Sequence, residues 1–173
     1  MDAIKNIMSR ISVRQFSEQK ISDEDLLQIL EAGMAGPSCK NTRDWSFIVV
    51  RDREMLNKMA DANSPSAEPL RHCQFGILVC GDLERSFELA PEYWVIDGSI
   101  ATQNMILAAH ALGIGSVWLG TWPQPGRMQA QAALLQLPEN AKPHSIIAFG
   151  YPKHESTKQK LIWEDDRVHY EKW

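Results

Sequence analysis

The run from Ile100 to Leu119 limits most tightly what this chain can fold into. A membrane-spanning helix takes about 20 mostly apolar residues, and this run has nearly that reach. It nevertheless contains Gln103, Asn104, His110, Gly113, Gly115 and Ser116, and it breaks at its glycines. It reads as a buried helix followed by a buried strand, so the rest of the chain must build a core around both. The helix is expected from Asp97 to Leu112, with Asp97 as N-cap or in the first turn and Gly113 just past its end. The strand is expected from Ile114 to Leu119.

Other elements fall out of local signals. Asp2 caps a short helix ending near Ser9. Residues Ser12 to Phe16 are rich in β-formers and read as extended. Ser22-Asp23-Glu24-Asp25 opens a second helix, whose apolar set is Leu26, Leu27, Ile29, Leu30 and Met34. It should stop between Gly33 and Gly36, where Pro37 forbids continuation. Trp45 to Val50 reads as a strand, Arg53 to Ala62 as a helix and Asn63 to Glu68 as a loop. Phe75 to Cys80 is a continuous apolar run, as expected of a strand buried on both faces. Pro125 to Leu135 reads as a helix and His144 to Phe149 as a last strand. Lys153 to Lys160 reads as a polar loop. Helices and short strands interleave without a strict βαβ beat. That favours an α+β sandwich, one sheet covered by helices, over a doubly wound parallel sheet. The 173 residues suit a single domain, residues 1–173, that needs no disulfide or metal staple.

The chain carries a formal net charge of -4, and its cations are scattered rather than gathered into a basic stripe, which argues against a nucleic-acid partner. The first ten residues, MDAIKNIMSR, have no apolar signal region. Three cysteines, an odd number, then fit reduced thiols in the cytoplasm. Neither a CxxC nor an HExxH pattern occurs, so no metal site is expected.

Against that scattered background, Arg10, Ser12 and Arg14 stand out. In an extended segment they share one face, forming a groove about 13 Å long. Arginine forks and a hydroxyl suit a phosphate monoester. By spacing alone, surface cations near a helix C-terminus remain the readier reading. The loop Gly36 to Trp45 joins a helix to a buried strand, where ligands often sit. Its Ser38 and Cys39 are small enough for a planar ring to approach, and Asn41 can both donate and accept; an ordinary connection would look the same. Gly113-Ile114-Gly115 is not a dinucleotide fingerprint. The third glycine is replaced by Trp118, and the glycines leave a helix to enter a strand.

Taken in order, these segments resemble the nitroreductase family of FMN-dependent oxidoreductases. The matching pieces are Arg10, Ser12, Arg14 and Phe16; Pro37, Ser38, Asn41 and Trp45; the helix end from Ala109 to Gly115; Gly120 at a strand end; Gly150-Tyr151-Pro152; and the closing Arg167 to Trp173. The resemblance implies a mostly antiparallel sheet flanked by helices in an intertwined homodimer, with FMN at the subunit interface. It implies that Arg10 and Arg14 hold the phosphate and ribityl region beside Ser12, with Arg167 as a further phosphate ligand. Pro37, Ser38 and Cys39 would line the ring from the partner subunit. Asn41 would reach the flavin edge, and the backbone of Leu119 and Gly120 would lie near N5. No side chain is assigned a catalytic role. NAD(P)H would deliver hydride to the flavin, and an acceptor such as a nitroaromatic or quinone would take it. Reductive dehalogenation, flavin fragmentation or non-enzymatic FMN binding are the alternatives. One departure stands out: the family's Gln-Pro before the tryptophan is Arg43-Asp44 here. Arg43 could pair with Asp44 or face the substrate cleft.

Overall fold

A computed structural model describes residues 2–154 and 163–173. The expected polar loop therefore lies mostly outside the described residues, beyond His154. Among the described residues there are five α-helices, α1 (Ala3–Ser9), α2 (Asp23–Met34), α3 (Arg53–Ala62), α4 (Tyr93–Ala111) and α5 (Pro125–Leu134). The strands are β1 (Trp45–Val50), β2 (Phe75–Asp82), β3 (Gly115–Gly120) and β4 (Ala141–Gly150). They form one sheet in the order β1-β2-β4-β3, with every neighbouring pair antiparallel. The α+β class and the antiparallel sheet thus match expectation.

The caps explain why three helices begin where they do. Asp2, Ser22 and Asp52 each accept the amide three residues on, from Lys5, Asp25 and Met55, at 3.1, 3.0 and 2.8 Å. Past the end of α4, Gly113 takes a left-handed conformation at φ +78°, which ends the helix cheaply.

The sheet is buried on both faces, so the core has two halves. Ile77 and Val79 of β2 and Ile147 and Phe149 of β4 point toward α2 and α4, against Ile29, Met105 and Ile106. Leu78, Cys80, Ile146 and Ala148 point the other way, onto Leu56, Met59 and Leu70. This alternation is the two-residue period of a strand, made wholly apolar because helices cover both sides.

Two element starts differ from the sequence expectation by three residues or more. β4 begins at Ala141, three residues early, and passes through Pro143. A proline is tolerated there because the β2–β4 register shifts between Val79 and Cys80, opposite it. Helix α4 begins at Tyr93, so Asp97 is neither N-cap nor in the first turn. Trp94 packs its ring on Gly81, where any Cβ would lie 2.5 Å from it, and that contact carries the helix one turn further. Asp97 is consequently buried within the helix, and its carboxylate serves another segment.

Candidate functional site

The segment after α1 runs along the outer edge of β3. Ser12 pairs in parallel with Ser116, and the Val13 amide donates to the Ser116 carbonyl at 2.9 Å. Val13 turns into the core over Gly115, whose missing Cβ leaves room for it. Ser12 and Arg14 are left exposed on the opposite side, as the strand period requires.

The two arginines then part. Arg10 lines a cavity of 530 Å³ with Arg167, Trp163 and Val168 from the C-terminal segment. Arg14 lines a different one, of 860 Å³, with Arg53, Arg71 and Lys153. Arg71 is held by Asp61 and Glu68, and Arg167 by Glu164 at 2.9 Å. Neither Arg10 nor Arg14 has an acidic partner within ion-pair distance among the described residues. Arg10 lies toward the end of α4, where His110 contacts Ser9 at 2.9 Å. Burial, and then Arg10, lower the His110 pKa.

Leu119 is buried, so only its backbone is available to a ligand. The Gly120 carbonyl accepts from Arg127 at 2.9 Å and from Asn63 at 3.2 Å. These two donors fix the end of β3 in place.

The loop from Pro37 to Asn41 lies elsewhere. It precedes β1, at the other edge of the sheet from β3, three inter-strand steps or roughly 14 Å away. Lys40, Asn41 and Arg43 have φ of 50°, 57° and 51°. Left-handed backbone at non-glycine residues costs energy and needs surroundings that enforce it. Here the Ser38 hydroxyl accepts from the Arg43 amide at 2.9 Å, and Asp97 accepts from the Cys39 amide at 3.2 and 3.0 Å. Pro37 and Asn41 are exposed, whereas Ser38 and Cys39 are half-buried.

Arg43 donates to Asn41 at 3.3 Å and makes no ion pair with Asp44 among the described residues. Asp44 instead turns inward, 1% exposed, and accepts from Ser86 at 2.8 Å. Burial, with Asp44 beside it, raises the Asp97 pKa to about 6. Asp44 and Asp97 are the functional candidates the sequence reading left out. The available signal was charge: Asp97 is the one acidic residue in the stretch from Trp94 to Leu112.

Cations that have no acidic partner within ion-pair distance among the described residues leave positive charge along the β3 edge, and the constrained small-residue loop lies at the opposite edge of the sheet. A family model described as the nitroreductase family matches residues 7–80 and 66–151. A protein of Archaeoglobus fulgidus, provisionally named NADH dehydrogenase/NAD(P)H nitroreductase, is 45% identical over 99% of both chains. A crystal structure from Bacteroides thetaiotaomicron with the same provisional name is 39% identical at TM-score 0.92, covering 99% of this chain and 98% of that one. An FMN-dependent nitroreductase of Clostridium difficile is 27% identical at TM-score 0.85, covering 98% of this chain and 99% of that one. The chain belongs to the nitroreductase family.

Proposed function

We propose that this chain is a single-domain, cytoplasmic enzyme that binds FMN as a homodimer and passes hydride from NAD(P)H to a small acceptor such as a nitroaromatic or quinone. The observation that carries the two-chain reading is the separation of the ligand candidates along α4. The loop is anchored at Asp97 and Arg10 acts on His110, and these two positions lie roughly 20 Å apart on one helix. The loop and the β3 edge are also at opposite sides of the sheet. A partner subunit would bring its own loop to the edge that carries Arg10, Ser12, Arg14 and Gly120. Ile4, Ile7 and Met8 of α1 and Trp163, Tyr170 and Trp173 of the C-terminal segment are all exposed, which suits an assembly that covers them.

The residues fit FMN. Arg10 and Arg14 offer charge that no acidic partner among the described residues takes up, and Arg167 joins Arg10 at one cavity. When bound, FMN supplies a hydride-accepting centre at N5. Arg10 and Arg167 would take the phosphate, with Ser12 donating beside them. Arg14 would neutralise charge further along. Pro37, Ser38 and Cys39 would line the ring, and Asn41 would meet its edge. Leu119 and Gly120 would hold a backbone surface of fixed geometry beside the reacting atoms. No proton-transfer side chain is required of the protein. No helix among the described residues is long and apolar enough to cross a membrane, and Cys39, Cys73 and Cys80 are free thiols, in keeping with the cytoplasm.

The test is reconstitution of the purified chain with FMN, followed by oxidation of NADH or NADPH with and without a nitroaromatic. Flavin binding with acceptor-dependent oxidation supports the reading. A dimer that binds FMN without turnover reduces it to a flavin-binding protein, and failure to bind FMN overturns it.

A further inference from the structure

The flavin-enzyme reading requires two phosphorylated ligands, FMN and the nicotinamide dinucleotide, and the cations fall into two separate cavities. Arg10 and Arg167 line the one of 530 Å³. Arg14, Arg53, Arg71 and Lys153 line the other, of 860 Å³, in a chain whose formal net charge is -4. Glu18 is the one acidic residue among those lining it. The four cations are held differently. Arg71 is paired with Asp61 and Glu68. Arg53 donates to the carbonyl of Leu70 at 3.0 Å and to that of Cys73, which aims its fork without cancelling its charge. Arg14, Arg53 and Lys153 have no acidic partner within ion-pair distance among the described residues. The Lys153 amide donates to the Gln15 carbonyl at 3.0 Å, which ties the chain beyond β4 to the Arg14 segment and keeps both side chains at one site. Cations held together repel one another until an anion joins them, and an aimed arginine fork suits a phosphate.

We propose that this cavity is a second phosphate site, in which Arg14, Arg53 and Lys153 bind the pyrophosphate of the nicotinamide dinucleotide while the Arg10–Arg167 cavity keeps the phosphate of FMN. Arg10 and Arg14 are four residues apart, roughly 13 Å in extended chain, so the two anions do not compete for one arginine. Arg14, which the flavin reading places along the cofactor beyond its phosphate, is the residue the two sites share. Arg53 supplies a fixed fork, and Lys153 a point charge on a flexible stem. Glu18 faces the same space, so the cavity suits one compact dianion rather than a long polyanion. NADH and NADPH carry the same pyrophosphate, so the site serves both. The identity of the ligand rests on the flavin-enzyme reading above; the anion site rests on the cations themselves.

Inorganic pyrophosphate is the probe, titrated calorimetrically into the FMN-loaded protein, where the Arg10 cavity is already filled. It should bind wild type. Lys153→Gln should weaken it about tenfold, the worth of one hydrogen bond to a charged group, and leave FMN affinity unchanged. Arg53→Lys keeps the charge but loses the fork, and should weaken it as well. Pyrophosphate should compete with NADH and with NADPH, and Lys153→Gln should raise KM for both with kcat kept. Weakening in either variant places pyrophosphate in this cavity. No binding to wild type, or wild-type affinity in both variants, overturns the site. Binding that competes with neither dinucleotide overturns the assignment of the ligand. A protein that takes up no FMN overturns the flavin reading instead. The titration is then made in Arg10→Ala, with and without Lys153→Gln, and still decides the anion site.

Discussion

The imidazole Nε2 of His144 lies 3.1 Å from the Ser99 hydroxyl and ties β4 to α4 through the interior. Ser99 spends its only proton on the Val95 carbonyl at 2.7 Å, so His144 must donate from Nε2. Its Nδ1 then accepts from Ser145 at 3.0 Å. A neutral ring with its proton on Nε2 meets both the Ser99 and Ser145 hydroxyls, and burial pushes its pKa down to about 4.

That tautomer predicts an acid weakness. The unfolded chain takes up this proton near pH 6.5, the folded one only near pH 4. Between those values the unfolded state binds more protons, so stability is full above about 6.5 and falls as pH drops toward about 4. Urea unfolding midpoints of Asp97→Asn, which lacks an opposing titration in the same window, should show this slope, and adding His144→Gln should flatten it. An unchanged slope in the variant would assign the weakness to another group.

Asp97 works in the opposite sense. Its folded pKa of about 6 lies above the ordinary 3.8, so its contribution is full below about 3.8 and is lost as pH rises through about 6. Over the window from about 4 to about 6 the two residues oppose each other, which flattens the wild-type curve. Asp97→Asn should therefore steepen the acid slope left by His144, as measured by the same midpoints.

Gly115→Ala should disturb the strand edge. A Cβ there would meet Val13 at 2.8 to 2.9 Å, closer than carbon atoms pack, and backbone on both sides limits the give. The expected cost is about 1–3 kcal/mol by thermal or urea unfolding, as for other overpacked sites. Because Val13 anchors the segment between Ser12 and Arg14, flavin affinity should fall as well. An affinity equal to wild type would show that this segment is positioned by other contacts.

Arg10→Ala should weaken FMN binding by about 1.5–3 kcal/mol in a fluorescence titration, the worth of a hydrogen bond to a charged group. Arg167→Ala should cost less, because Arg167 already spends part of its charge on Glu164. Equal flavin dissociation constants for Arg10→Ala and wild type would remove Arg10 from the site.

Much of this was legible locally. Asp2, Ser22 and Gly113 mark helix ends by side-chain or backbone chemistry that acts over a few residues, and the apolar run from Phe75 announces its strand. The order of motifs carried the family. The misread elements are those where a distant partner decides. Asp97 looks like a cap because caps are short polar residues before apolar runs, yet it is claimed by Cys39 from another segment. Pro143 looks like a strand breaker until the register shift opposite it is known. Arg10, Ser12 and Arg14 share a face as the strand period demands, but the cavities that divide Arg10 from Arg14 are built by residues from the far end of the chain and from β2's approach.

The length of α4 between Asp97 and His110 has a genetic corollary under the two-chain reading. A chain damaged only in its loop and a chain damaged only at Arg10 would each be inactive alone. Co-expressed, they would assemble mixed pairs in which one pocket inherits both lesions and the other inherits neither. Two dead alleles would then restore activity to the cell, which no arrangement with the whole pocket in one chain allows.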